Sequence, residues 1–220
     1  ALSLLNILAA RRGRPVPREQ LIDLLWPGQD PGAASNRLSV AQAAVRSVLD
    51  PGKHHPADHF VPADAAAVAL SLENVWLDAD AFLTQAEVGL DLYRRGRIED
   101  AVPRLAAAEA MYAGDFLEED GEQEWAVAVR EEARAACIAV TRALAQAADP
   151  GDAAGYYRRI LERDAYDEQA HLGLVACLDA AGRGVEARRA YRGYCTRMEE
   201  LGVESAAFPA PVGTARATGP

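Results

Sequence analysis

The sequence predicts a mainly α-helical fold, in which a small helical domain with a β-hairpin precedes a solenoid of three helical hairpins. The main observation is an internal repeat: Ala-Ala-Gly-Tyr-Tyr-Arg-Arg-Ile at 153–160 is followed 34 positions later by Ala-Arg-Arg-Ala-Tyr-Arg-Gly-Tyr at 187–194. A period of 34 residues is typical of tetratricopeptide units, each a pair of antiparallel helices. The other two observations are the short β region before residue 78 and an uneven charge.

Charge divides the chain near residue 78. Residues 1–77 carry seven basic and seven acidic side chains, whereas residues 78–204 carry fifteen and twenty-six. An acidic surface repels nucleic acid, so we expect any DNA contact to come from the first part. Three regions are predicted: domain 1–77, domain 78–204, and a tail at 205–220 that we expect to be disordered because it is rich in Ala, Pro, Gly and Thr.

Three helices and a hairpin are predicted in the first domain. The helices run from Leu2 to Arg12, from Pro17 to Trp26 and from Pro31 to Leu49, and Asp30 is a favourable N-cap for the third. Residues 59–75 contain the strand candidates of this domain and are predicted to form a β-hairpin. Three helices followed by a hairpin are the outline of a winged helix, a variant of the helix-turn-helix.

The third helix is predicted to be amphipathic. Its inward residues at helical spacing are Leu38, Ala41, Val45 and Val48. A second face, small and polar, holds Ser35, Ser39, Gln42 and Arg46.

The second domain is predicted to be entirely helical. Helices are expected at 80–95, 98–112, 122–147, 152–163, 167–181 and 185–201. They make three hairpins, the smallest number at which a solenoid buries a useful core.

The sequence gives no indication of an enzyme, a cofactor or a membrane partner. It contains no GxSxG, P-loop, HExxH or GxGxxG motif, and no apolar run long enough for a membrane span or secretory signal. Cys137, Cys177 and Cys195 are scattered, which favours reduced thiols and a cytoplasmic location. The spacing of the residues between His54 and His59 could suit zinc, but a polar turn is the preferred interpretation.

The order of these elements resembles that of the actinobacterial antibiotic regulatory proteins (SARP), in which an OmpR-like winged helix precedes a bacterial transcriptional activator domain. The segments that carry the resemblance are 13–16, 21–26, 33–38, 77–82, 114–117, the segment around Trp125, and 191–203. The resemblance covers residues 1–204. The strands that precede the first helix in that family are missing, so we expect the chain to be a fragment.

The resemblance implies a DNA-binding transcriptional regulator. The third helix would enter the major groove, and the hairpin wing would contact phosphates or the minor groove. The residues that correspond to the DNA-contacting positions are Ser35, Arg37, Ser39, Gln42, Arg46 and, in the following turn, Lys53. Arg can pair with guanine and Gln with adenine, so these residue types suit base recognition. Arg11, Arg12 and Arg14 would either contact phosphate or complement the dipole of the first helix.

The resemblance assigns protein contacts to the helical array, with RNA polymerase, another regulatory protein or a second copy of the chain as partner. The candidate partner-binding residues are Glu118, Glu119, Asp120, Arg158 and Arg192. The carboxylates could equally stabilise the following helix, and the arginines could pack between hairpins. The alternative function is a protein-interaction or sensor module without DNA binding, because the last half of the third helix carries a single basic residue, Arg46.

Overall fold

The computed structural model describes residues 1–118 and 123–209. The helices are α1 (Leu2–Ala10), α2 (Arg18–Leu25), α3 (Pro31–Leu49), α4 (Asp78–Arg94), α5 (Ile98–Met111), α6 (Glu124–Ala147), α7 (Pro150–Arg163), α8 (Glu168–Ala180) and α9 (Gly184–Glu200). The strands are β1 (Val16–Pro17) and β2 (Ala67–Val68). The predicted fold class, mainly helical with a small β element, is confirmed.

The chain forms two compact units. Unit 1 comprises Ala1–Ala81 and Gly114–Ala133, and unit 2 comprises Phe82–Ala113 and Arg134–Pro220. The end of unit 1's first segment lies close to the boundary predicted at 77/78. The connector before α6 and the first part of α6 also lie in unit 1, although the sequence-based division placed them in the second domain.

Unit 1 is built around one apolar core shared by α1, α2, α3 and the region of the hairpin. Its fully buried members are Leu4, Ile7, Leu8, Val16, Leu21, Leu38, Val45, Val61, Val68 and Leu70. Phe116 and Trp125 are partly buried against the same core. The segment 114–133 therefore belongs to unit 1 because it contributes two aromatic rings to this core, and each ring removes a large apolar area from water.

The predicted hairpin is present, but its first arm is joined to the second by a single bridge, between Ala63 and Val68, and by backbone hydrogen bonds. Ser71 N donates to Phe60 O at 2.9 Å across the hairpin. Its second strand, β2, also pairs antiparallel with β1, where Val16 lies opposite Val68. Pro17 was predicted to begin the second helix, but it lies in β1 and the helix begins at Arg18.

Unit 2 consists of packed helices, as the 34-residue repeat predicts. α7, α8 and α9 share a core of small and aliphatic side chains: Ala153, Ala154, Leu174, Val175, Cys177, Leu178 and Ala187. One close approach depends on glycine. A Cβ at Gly173 in α8 would lie closer than 3.0 Å to the ring of Tyr157, which packs partly buried against this core. Gly173 thus lets the α7 aromatic ring lie directly on the α8 backbone.

No helix among the described residues combines enough length with enough apolar character to cross a bilayer.

Candidate nucleic-acid interface and partner-contacting residues

Helix α3 is held firmly at its start and along one side. Asp30 caps the helix, its Oδ2 accepting from Ala33 N at 2.9 Å, and Pro31 occupies the first turn. The residues that face the core are Ala34, Leu38, Ala41, Gln42 and Val45. Because this side packs against the rest of unit 1, the opposite side of α3 faces solvent.

The solvent-facing stripe of α3 is small and uncharged. It consists of Asn36, Val40, Ala43 and Ser47, all exposed. Val40 is 70% exposed. Val48 was predicted to face inward, but it is 68% exposed, so that part of the predicted core stripe is wrong. The helix contains Arg37 and Arg46 but no Asp or Glu.

Three of the predicted DNA-contacting residues lie on the exposed surface of α3. Ser39 Oγ donates to Ser35 O at 3.1 Å, a bond within the helix. Arg37 Nη1 donates to the side-chain oxygen of Gln29, and both groups are exposed. Ser35, Arg37 and Ser39 are therefore accessible to a ligand that approaches α3 from solvent.

Gln42 and Arg46 were predicted to lie on the exposed polar face of α3, but the structure places them in other surroundings. Gln42 is only 5% exposed, and its Oε1 accepts from Arg18 Nη1 at 3.3 Å. Arg46 is half-buried, and its Nη2 donates to Val61 O at 2.9 Å. The prediction that both lie on an outward polar face is wrong for Gln42, because Arg18 provides a partner for its amide inside unit 1. Arg46 links α3 to the hairpin.

Lys53 lies in the exposed turn that follows α3. Its backbone has a positive φ of 52°, and its N–H donates to Asp50 O at 3.1 Å. The Asp50 carboxylate accepts from the backbone N–H groups of His54 and His55 at 3.0 and 2.9 Å. These bonds hold the pKa of Asp50 below its usual value. The turn is thus held together by Asp50, and the lysine side chain is left exposed at the surface.

The histidines after this turn stack on one another. The rings of His55 and His59 lie 4.2 Å apart and nearly parallel, and the ring of Phe60 meets His59 edge-on at 4.6 Å. Within residues 1–118 and 123–209, no group of three or more His, Cys, Asp or Glu side chains could hold a metal ion.

Arg12 is held by carboxylates of unit 1. Its Nε donates to Asp80 Oδ1 at 2.8 Å and its Nη1 to Glu132 Oε1 at 3.1 Å. Burial opposes the charge, yet the two carboxylates raise the pKa of Arg12 above its usual value. Arg14, in contrast, is exposed. Of these two residues, Arg14 is the one open to a phosphate.

The predicted acidic partner site is described only in part. Glu118 is exposed, whereas Glu119 and Asp120 lie outside the described residues. The connector before it is fixed by Arg130, whose guanidinium donates to Phe116 O and Leu117 O, each at 3.1 Å. The sequence analysis did not predict this role of Arg130. A single arginine bonding two successive carbonyls of a connector leaves no motif in the sequence.

Arg158 and Arg192 both lie on the surface of unit 2. Arg158 Nη2 is 3.8 Å from Glu186 Oε2, and both side chains are about half exposed. Arg192 is exposed on α9. The structure therefore leaves both guanidinium groups accessible to a partner.

The sequence analysis also missed an aromatic clamp at the end of unit 2. We define it as Tyr191 and Tyr194, which bind both backbone polar groups of Ala206. Tyr191 Oη donates to Ala206 O at 2.9 Å, and Ala206 N donates to Tyr194 Oη at 2.7 Å. Tyr194 is fully buried and donates to Glu168 Oε1 at 2.6 Å. The disorder predicted from residue 205 therefore does not apply to Ala206, while residues 210–220 lie outside the described part.

A fold comparison identifies a similar solved structure. The chain resembles Mycobacterium tuberculosis EmbR in complex with low affinity phosphopeptide, with a TM-score of 0.76 and 22% sequence identity. The match covers 93% of this chain and 55% of that one, so this chain spans about half the length of the similar structure. At this identity the likeness establishes the fold alone. No curated protein sequence matches the chain.

Comparison with protein families identifies the domain in the second half of the chain. The model of the bacterial transcriptional activator domain matches residues 77–208. The matched range ends beyond Ala206, so it includes the segment bound by the aromatic clamp. The predicted resemblance to regulators that carry this domain is confirmed. Because the match spans more than half of the sequence, the chain belongs to the bacterial transcriptional activator domain family, a family of transcriptional regulators.

Proposed function

We propose that this transcriptional regulator binds promoter DNA, with α3 of its winged-helix domain (residues 1–77) in the major groove. The helical array at 78–204 would supply the contacts with other proteins. The observation that carries the proposal is the exposed face of α3, which has small side chains and no carboxylate along the whole helix.

The dimensions of α3 suit this role. An α-helix with its side chains is about 10–12 Å wide, close to the width of about 12 Å of the major groove. The small side chains of Ser35, Ser39, Ala43 and Ser47 reduce the effective width on the exposed side. Since no Asp or Glu lies on α3, its approach to the phosphates meets no repulsion from the helix itself.

Unit 1 also has exposed cations. Arg37 is exposed on α3, Lys53 lies in the turn after it, and Arg14 is exposed after α1. We propose that Arg37 and Lys53 contact phosphates, which fix the orientation of a protein on the duplex without reading sequence. Arg46 helps to hold α3 in place, because its guanidinium donates to Val61 O in the hairpin.

Duplexes that bind the 220-residue chain are first selected from a random-sequence library. The proposal is then tested by measuring the affinity of the chain for these duplexes, labelled, by fluorescence anisotropy. The logarithm of the binding constant should fall linearly with the logarithm of salt concentration, by about one unit of slope for each phosphate neutralised. Arg37→Ala should lower the slope by about one and weaken all duplexes similarly. The matched control is Arg188→Ala, which removes an exposed arginine from α9 of unit 2.

The second candidate function is a protein-interaction or sensor module without DNA binding. It is favoured by two cations of unit 1 that already have partners within the molecule: Arg12 is paired with Asp80 and Glu132, and Arg46 donates to Val61 O. If the selection recovers no preferred duplex, and residual binding at low salt is equal for wild type and Arg37→Ala, the DNA-binding proposal fails. The interaction module is then the better description.

Protein contacts are tested separately. We propose that the exposed carboxylate of Glu118, with Glu119 and Asp120 beside it in sequence, binds a basic surface of RNA polymerase or of another regulator. Glu118→Lys should weaken capture of purified polymerase on immobilised chain. Glu99→Lys, which changes an acidic residue in the first turn of α5, is the control. Equal capture by both variants would assign Glu118 to helix stabilisation only.

A further inference from the structure

The outward stripe of α3 carries a specific set of side chains. Asn36, Val40, Ala43 and Ser47 recur at helical spacing on the side opposite the buried Leu38. The stripe contains one amide, two aliphatic side chains and one hydroxyl, and it contains no Lys or Arg. These four residues are those that would point most directly at the floor of a groove.

Three of the four side chains of the stripe favour particular bases. The amide of Asn can form two hydrogen bonds with N6 and N7 of adenine, and aliphatic groups contact the C5 methyl of thymine. The commonest contact that specifies guanine comes from Arg or Lys, which the stripe lacks. Val40 is 70% exposed. Binding gains free energy when a thymine methyl group covers this apolar surface and removes it from water.

The spacing sets the length of DNA that the stripe can reach. From Asn36 to Ala43 the helix rises about 10 Å, at 1.5 Å per residue. Base pairs are about 3.4 Å apart, so this rise corresponds to about three base pairs. An amide at one end and methyl-contacting side chains along the rest would therefore fall on neighbouring base pairs.

We infer that α3 reads a short A·T-containing element, in which Asn36 pairs with an adenine and Val40 and Ala43 contact thymine methyl groups within about three base pairs. The inference rests on the proposed function, since it requires α3 in the major groove. It goes beyond that function because it names the bases and the residues that select them. Arg37, beside the stripe, serves the phosphate backbone.

The test uses the duplexes recovered by selection with the full 220-residue chain. The recovered consensus should contain adenine followed or preceded by thymine within about three base pairs. Replacing one thymine at a time by uracil removes only the C5 methyl group. At the contacted positions, this change should weaken binding by the wild-type chain about fourfold per lost methyl contact.

Variants connect the bases to the side chains. Val40→Ala should weaken binding to the thymine duplex. For this variant, replacing the thymine at the contacted position by uracil should cause no further loss of affinity. Asn36→Ala should reduce discrimination at the adenine position by about tenfold or more. The matched control is Val185→Ala, which truncates an exposed valine of α9. Thermal unfolding of all variants checks that the exposed substitutions leave the fold intact.

The outcomes separate the two proposals. A recovered consensus of G·C pairs, or binding that is insensitive to uracil and to Val40→Ala, overturns the inference while the DNA-binding function stands. Absence of any preferred duplex overturns both. Both the inference and the DNA-binding function are supported if uracil substitution weakens binding by the wild-type chain but not by Val40→Ala.

Discussion

The side chain of Gln42 is joined to that of Arg18 inside unit 1, where Gln42 Oε1 accepts from Arg18 Nη1 at 3.3 Å. The bond connects the middle of α3 to the first residue of α2. The other polar atom of the amide, Nε2, is buried without a hydrogen-bond partner among the described residues. Gln42 therefore contributes to the packing of α2 on α3, although its amide nitrogen has no partner there.

Replacing Gln42 by methionine tests this assignment. Methionine keeps the length of the side chain and removes both the unpaired Nε2 and the acceptor of Arg18. These opposing effects should leave the free energy of unfolding within about 1 kcal/mol of wild type. Gln42→Ala, which leaves a gap instead, should lower it by about 1–2 kcal/mol. Urea denaturation measures both. A change of base preference in Gln42→Met, with unchanged stability, would instead mean that the amide reads DNA.

Helix α3 illustrates what the sequence can predict. Its bounds and most of its buried stripe were predicted, because the helical period and the Asp30 cap are local signals. The errors occurred at Gln42 and Val48, where residue polarity was used in place of position. At 100° per residue, Gln42 lies about 40° from Leu38 and Val48 about 80°, so helix geometry alone favours Gln42 as the buried one.

Contacts between distant segments were not predictable in the same way. Strand β1 has two residues, Val16 and Pro17, and it exists because β2 lies beside it in the folded unit. The same is true of the aromatic clamp, where Ala206 offers only backbone groups to Tyr191 and Tyr194. Backbone recognition places no requirement on residue type, so no pattern in the sequence indicates it.

The close packing of Gly173 on Tyr157 predicts opposite effects for two glycine-to-alanine changes. A Cβ at Gly173 would meet two ring carbons and the hydroxyl oxygen of Tyr157 at less than 3.0 Å, so Gly173→Ala should destabilise the chain by about 1–3 kcal/mol. Gly155, in the middle of α7, has nothing within 4 Å of the added Cβ. Gly155→Ala should therefore stabilise the chain by about 0.5–1 kcal/mol. Thermal unfolding of the two variants side by side measures the contrast, and equal effects would contradict the packing argument.

Asp64 at the tip of the hairpin predicts a dependence on pH. Its Oδ1 accepts from the backbone N–H groups of Ala67 and Ala66, each at 2.7 Å, and these bonds lower the pKa of Asp64 below the usual 3.8. A carboxylate with a lowered pKa stabilises the fold above the pKa of the unfolded chain, and this contribution is lost as pH falls through the lower, folded value.

The expected result is a stability difference between wild type and Asp64→Ala that is constant above about pH 5 and shrinks as pH falls below 3.8. Urea denaturation at a series of pH values measures it, and an NMR titration of the Asp64 carboxyl gives the folded pKa directly. A difference that stays constant down to pH 2 would show that the two backbone bonds do not favour the charged form.

The aromatic clamp predicts that residues 204–209 stabilise unit 2. A chain truncated after Val203 loses both hydrogen bonds to Ala206 and the contact between the rings of Phe208 and Tyr191, whose centroids are 5.1 Å apart. With each bond worth about 1 kcal/mol and the aromatic pair about 0.5–1.5, the free energy of unfolding should fall by about 2.5–3.5 kcal/mol. Truncation after Pro209 keeps all three contacts and is the matched control. Tyr191→Phe, which removes one donor, should lie between them. If both truncated chains unfold together with wild type, the clamp holds the segment without stabilising α9.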